Sequence, residues 1–320
     1  LLMSQEGWEG SFDGAANAFI MKNSVSNVPD SSGGTGNLTF DTYGGVAGGN
    51  DDTSIVTGLL PNVWGMTLKA PTANGLDMSA RLGLYTHMNG GENSLGNGQI
   101  NIRETSGTIA GSFGSVLVGR SLGIHQSNAI LNDMLLFGVG AAASAGNNNT
   151  TLGRIGLGYL YTDFKPQIAW TLPDLGNGFN ARVALFDPDD IHADTTTFSA
   201  TDKSSPRVEA QITYNGGLGD LGINLWVDGS YQNTERSEAE ASAYNSNDGP
   251  GVITADVKNT RDTDVDSASV GFGTKLSYEG LSVVATGFFG QGVGMRGRYS
   301  VGPITGVGGS DGATSTGAVV

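Results

Sequence analysis

Cysteine is absent from the 320 residues. That removes disulfides, thiolate metal sites and cysteine nucleophiles together. No stretch approaches the ~18 consecutive apolar residues that mark a transmembrane helix. This lack does not exclude a membrane protein, because strands of a barrel alternate over about ten residues and hydropathy averages them away. Basic residues are few, 16 Lys and Arg against 31 Asp and Glu, for a net charge of −15. A phosphate backbone needs a basic surface, so a nucleic-acid partner is not expected. Proline is scarce at 9 residues, and apolar residues reach only 38%. The chain opens at Leu1 with no charged n-region or apolar h-region, so no secretory leader is expected within it.

Glycine is abundant, at 52 residues. It has no G-X-Y period, which excludes collagen. The glycines stand singly inside alternating apolar and polar stretches, as suits curved strands. The alternation is cleanest at Arg207–Tyr214. Arg207, Glu209, Gln211 and Thr213 share one face; Val208, Ala210, Ile212 and Tyr214 share the other. Similar patterns predict strands at 7–22, 53–69, 76–88, 99–110, 115–121, 154–172, 179–187, 205–215, 221–233, 265–278 and 281–292. Every second link is short: TANG at 72–75, GSFG at 111–114, PDLGNG at 173–178, NGGLGD at 215–220 and EG at 279–280. The others are long and polar. Short turns at one rim and long loops at the other predict one antiparallel transmembrane β-barrel over 1–320, of the bacterial outer-membrane kind. A sheet in hydrocarbon must close, with apolar side chains outward and wet ones inward. Trp8, Trp64, Phe113, Tyr159, Tyr161, Phe164, Tyr214, Tyr278 and Phe289 lie near strand ends and are candidates for interfacial girdles. Single-chain bacterial barrels normally have an even strand count, so eleven strands predict further strands outside this sequence. Residues 308–320 read as loop rather than as a closing strand.

The connection 122–153 is too long for a plain link and carries an apolar run at Ile130–Phe137, interrupted by Asn132 and Asp133. Such a loop is expected to fold inward against the wall and narrow the bore. Packing on a neighbouring subunit is the alternative. Asp133 is its acidic residue; Arg120 and Arg154 flank it, and Arg81 and Arg182 fall on polar strand faces. Arginine is costly on a lipid-facing surface. Opposed charges at a constriction bias ion passage, so these five residues are candidates for the narrowest point. Alternatively each arginine pairs with Asp77, Glu104 or Glu209 and stiffens the wall. The clusters around Asp187, Asp189 and Asp190, and around Asp262 and Asp264, are candidate Ca²⁺ ligands or simply solvated loop charge. Neither has EF-hand spacing. The three histidines, His87, His125 and His192, form no ligand spacing, and no G-x-S-x-G elbow occurs. No catalysis or cofactor is expected.

Residues 114–120 (GSVLVGR) resemble the segment that ends the fifth strand of Gram-negative trimeric general diffusion porins. Residues 129–140 (AILNDMLLFGVG) follow where those porins carry a constriction loop. Residues 58–61 (GLLP) and 288–292 (FFGQG) are similar to segments of one porin subgroup. The resemblance implies a 16-stranded barrel with an inward third loop and a homotrimer. It implies a setting among outer-membrane lipids and lipopolysaccharide, and passive diffusion of small polar solutes. It also implies that Arg120 and Arg154 are basic eyelet residues facing Asp133. A substrate-specific channel and a structural or adhesive barrel are the rival expectations.

Overall fold

The structure is a computed structural model that describes residues 3–23, 52–86, 100–138, 155, 158–189, 201–202, 205–236, 264–293 and 314–319. Its contacts group into two units, residues 1–108 with 131–154, and residues 109–130 with 155–320.

In the first unit the strands are β1 (Met3–Gln5), β2 (Trp8–Ala15), β3 (Phe19–Asn23), β4 (Asp52–Val56), β5 (Asn62–Lys69), β6 (Asp77–Thr86) and the start of β7 (Ile100–Gly111). β1, β2, β5 and β6 pair in that order, all antiparallel. Two-residue turns close the hairpins. Glu6-Gly7 has φ of 52° and 83°, and Asn74-Gly75 has 53° and 73°. Two consecutive left-handed residues match the twist of the flanking strands.

The predicted strands 7–22 and 53–69 are each broken. Ala15 pairs Val63 and Phe19 pairs Val56, so three residues face six across the gap. β3 and β4 therefore form a separate two-stranded ribbon. Pro61, which lacks an N–H, ends the ladder there.

In the second unit the end of β7 is followed by β8 (Gly114–Leu122), a one-turn helix α1 (Ser127–Leu131), β9 (Phe164–Thr171), β10 (Phe179–Phe186), β11 (Thr201–Asp202), β12 (Arg207–Leu218), β13 (Leu221–Arg236), β14 (Asp264–Tyr278), β15 (Leu281–Gln291) and β16 (Thr314–Val319). β8, β9, β10, β12, β13, β14, β15 and β16 pair in that order, all antiparallel. Chain order and sheet order coincide apart from the short β11, which pairs β13. Each of the eleven predicted strands is present. Residues 314–319 correct the reading of 308–320 as loop, because they add a strand to β15. The predicted strand 154–172 shortens to 164–171. Ahead of it, Leu160 packs against Phe288 and Val293.

The two faces of this unit are opposite in character. On β12 and β13 the buried residues are Arg207, Glu209, Gln211, Asp228, Ser230, Gln232 and Thr234, with Trp226 the one large apolar side chain among them. Ile212 is 58% exposed and Val227 55%, with Val208 and Leu225 also exposed. β9 and β10 expose Ile168, Trp170, Val183 and Leu185 in the same way. A water-soluble protein buries the other set. Leaving a Leu, Ile or Val side chain in water rather than burying it costs about 1.5–3 kcal/mol each. A face so built belongs against hydrocarbon. Phe113, Phe179, Tyr214 and Tyr278 stand at or beside the short turns; Phe179 and Tyr214 have ring centroids 4.8 Å apart. Tyr159 and Phe164 leave the predicted girdle set, because both are buried.

Candidate functional site

The site is built where the connection after β8 meets the polar face of the second unit. Gln167 on β9 donates from Nε2 to the carbonyls of Ser121 and Leu122, both at 3.0 Å. The Gly123 N–H donates to Asp163 O at 2.9 Å. These bonds cinch the base of the loop. The chain then runs over the sheet. Ile124 fills a small apolar recess with Ala169, Ala184 and Phe186, and Leu117 packs at its edge.

Beyond Ile124 the contacts are polar, and wall carboxylates supply them. Glu209 Oε2 accepts the N–H groups of Ile124 and His125, each at 2.8 Å. Asp228 Oδ1 accepts the Gln126 N–H at 3.0 Å and lies 2.5 Å from His125 Nδ1. His125 Nε2 is 3.0 Å from Ser269 Oγ. Gln211 donates from Nε2 to Ile124 O and Ser127 Oγ, both at 3.1 Å. Gly271 has no side chain because Gln126 occupies that space; a Cβ there would lie 2.6 Å from Asp228 Oδ1 and collide with Gln126 Nε2. The loop thus folds onto the polar face, as its apolar content predicts, but polar bonds as well as apolar contacts hold it there.

Toward the ends of β9, β10 and β12 the same face carries a charge network. Arg207, fully buried, donates to Ser230 Oγ at 3.1 Å, to Asp189 Oδ2 at 2.6 Å and to Glu209. Lys165 also contacts Asp189. Gln232 brackets Asp189 by accepting its N–H at 3.0 Å and donating to its carbonyl at 2.7 Å. Two cations and two carboxylates balance, which is what burial of charge demands. Of the Ca²⁺ candidates, Asp189 has its carboxylate against two cationic side chains, Lys165 and Arg207. Asp187 sits in the same segment and donates its N–H to Pro166 O at 3.1 Å. Asp264 begins β14 opposite Glu235. Asp190 and Asp262 lie outside the described residues. Among those described, no three His, Asp or Glu side chains gather as metal ligands.

The predicted constriction residues fare differently. Arg81 is held in the first unit by Asp13, with Nη1 to Oδ1 at 2.8 Å and Nη2 to Oδ2 at 3.0 Å. Its Nε donates to Glu104 Oε2 at 3.1 Å. Glu104 is one of the wall partners considered from sequence; Asp13 was missed. Gly65 leaves the room Arg81 needs to reach Asp13. Arg182, half-buried, faces the covered polar side, opposite Gln211 in register and near Glu209. Arg120 stands opposite Pro166, one residue after the left-handed Gly119 (φ 118°). Its Nε is buried without a hydrogen-bond partner among the described residues. Asp133 turns its own loop by accepting the Leu135 N–H at 2.9 Å. Arg154 lies outside the described residues.

The far part of the loop rests in the first unit. Leu59 and Leu60 donate their N–H groups to Gly138 O and Leu136 O, both at 3.0 Å. Gly58 is obligatory here, since a Cβ would lie 2.6 Å from Gly138 O. Asn17 braces the segment, accepting the Gly58 N–H at 2.7 Å and donating to Leu60 O at 2.8 Å. Ile130 and Leu136 are buried, whereas Leu131, Met134 and Phe137 remain exposed, so the predicted apolar run packs only in part.

Asp228, His125 and Ser269 reproduce the connectivity of a nucleophilic triad. His125 and Asp228 side chains are fully buried and Ser269 is 4% exposed. In this arrangement the three side chains bond the loop to the wall. His125, Glu209 and Asp228 were missed as site residues. The one signal available was that Glu209 and Asp228 are acids on polar strand faces.

A sheet with an exposed apolar face, short turns alternating with long loops, and a long connection folded on its polar face defines the antiparallel transmembrane β-barrel. Comparison with solved structures gives the same fold. The outer membrane channel DcaP of Acinetobacter baumannii is similar with a TM-score of 0.57 and 16% identity, over 90% of this chain and 66% of that one. The chain thus spans a little under two thirds of that structure's length. An anion-selective porin from Comamonas acidovorans gives a TM-score of 0.46 at 15% identity, covering 89% of this chain and 76% of that one. Salmonella typhi OmpF, in complex with daunomycin, gives 0.42 at 13% identity, covering 90% and 67%. The fold assignment rests on the first of these. No protein-family model matches the chain, and no curated protein matches it in sequence.

Proposed function

We propose that this chain is an outer-membrane porin of a Gram-negative bacterium, forming a water-filled passage for diffusion of small hydrophilic solutes and ions. One observation carries this reading. The long connection after β8 is bonded to the polar side of a sheet whose other side is apolar and exposed, as a loop would be that narrows an aqueous bore. The fold shared with an outer membrane channel supports it. The passage is passive and needs no cofactor. Arg182, Arg120, Arg154, Arg81 and Asp133 are its constriction charges, with Arg81 held in place by Asp13 and Glu104. The barrel sits among outer-membrane lipids and lipopolysaccharide and assembles as a homotrimer. Residues 1–320 form one barrel, with 122–153 as its constriction loop.

Planar-bilayer recording of the purified protein tests this. Stepwise conductance in groups of three is expected. A protein that folds and inserts but stays silent would overturn the proposal in favour of a structural or adhesive barrel. Saturation of the current by one solute class would instead favour a substrate-specific channel.

A further inference from the structure

The polar joint between loop and wall has a property that a packing role alone does not require. We propose that His125, Asp228 and Ser269 are positioning residues for the passage: a latch that pins residues 123–130 to the wall and so fixes the bore. This rests on the channel reading above. The latch spans four elements. His125 and Gln126 come from the loop, Glu209 from β12, Asp228 from β13 and Ser269 from β14. Two of its bonds to the loop end on β13 at Asp228, one on β12 at Glu209 and one on β14 at Ser269, whose hydroxyl also reaches Phe289 O on β15. Losing the side-chain bonds of His125, Asp228 and Ser269 leaves the backbone ladder of β12, β13 and β14 intact and loosens the loop at residues 125–126, while Glu209 and Gln211 still hold Ile124.

The imidazole bridges the two sides of the joint, with Nδ1 at Asp228 and Nε2 at Ser269. Ser269 has one hydroxyl proton and two acceptors in reach, His125 Nε2 at 3.0 Å and Phe289 O at 3.3 Å. The charged groups around the ring are Asp228 and Glu209, with Arg182 on β10 beside Glu209. A buried network of this kind, cut at one member, leaves its partners unsatisfied in a low-dielectric site.

The test uses the full-length protein in planar bilayers, with heat-modifiable migration on gels to report a folded barrel. His125→Ala and Asp228→Ala should fold yet lose the steady open level, which gives way to flicker, and should change the largest sugar admitted in liposome swelling. Asp228→Asn keeps an acceptor at the Oδ1 position and should restore the steady level. Ser269→Ala removes one bond only and should flicker less than His125→Ala. If the alanine variants at 125 and 228 fail to fold, Asp228→Asn and Ser269→Ala decide. Currents and sugar limits equal to wild type in every folded variant would overturn the latch while leaving the channel reading in place. A silent wild type would overturn the channel reading itself.

Discussion

Single side chains show which face meets which solvent. Ile212 lies mid-way along β12 and is more than half exposed, while its neighbour Gln211 is buried and bonded to the loop. Ile212→Arg should destabilise the membrane-inserted barrel by about 2–4 kcal/mol, the cost of a lipid-facing arginine near the midplane. Denaturant unfolding in lipid vesicles measures it, and an equal cost in detergent-free buffer would contradict the lipid assignment. Gly271 gives a second residue-scale expectation. Gly271→Ala puts a methyl where Gln126 Nε2 lies and 2.6 Å from Asp228 Oδ1, so it should lift the loop, strain the latch and produce flicker in single-channel records.

At the scale of elements, the break between β4 and β5 is the informative one. A continuous strand across 53–69 would pair evenly with its neighbour; instead Gly58, Leu59 and Leu60 turn their backbone to residues 136–138. Asn17 holds this segment with three hydrogen bonds, the third donated by its own N–H to Asn62 Oδ1 at 2.6 Å. Its side chain makes two of them. Asn17→Ala should therefore cost about 1–3 kcal/mol in unfolding free energy, as removal of one partner leaves half-buried groups unpaired. Thermal melts in detergent read this directly. The β2–β5–β6 wall carries a matching expectation. Arg81 ties β6 to Asp13 on β2, a partly exposed pair, so Arg81→Ala should cost only about 1 kcal/mol or less. It also removes one positive charge beside two carboxylates. The reversal potential under a salt gradient should move toward cation preference, and no movement would place Arg81 away from the ion path.

At the scale of the whole molecule, the inverted burial pattern is what separates this chain from a soluble β-protein. Apolar strand faces lie open across both units, at Trp64, Met66 and Leu68 in one and at Ile168, Val183, Ile212 and Val227 in the other. An exposed apolar surface of this extent demands a partner, and a bilayer supplies one along the full length of each strand. The protein should therefore partition into outer-membrane fractions and migrate faster unheated than boiled. If it stays in solution without detergent, the membrane assignment fails.

The amino-acid sequence by itself determined the two-sided wall, because a strand's side chains alternate with a period of two whatever the strand pairs with. Arg207, Glu209 and Gln211 were legible as one face, and Val208 and Ile212 as the other, from eight consecutive residues. The short turns were legible too, at Asn74-Gly75 and Glu279-Gly280, where left-handed backbone restricts the residue choice. Tertiary structure alone decided what the long loop rests on. The bond from His125 to Ser269 spans 144 positions and that from Ile124 to Glu209 spans 85, separations over which no periodicity carries information. It also decided that Arg81 belongs to a clamp and that Tyr159 lies buried. Which polar groups meet is set by how sheet and loop come together, and a local pattern records only which side of a strand each group is on.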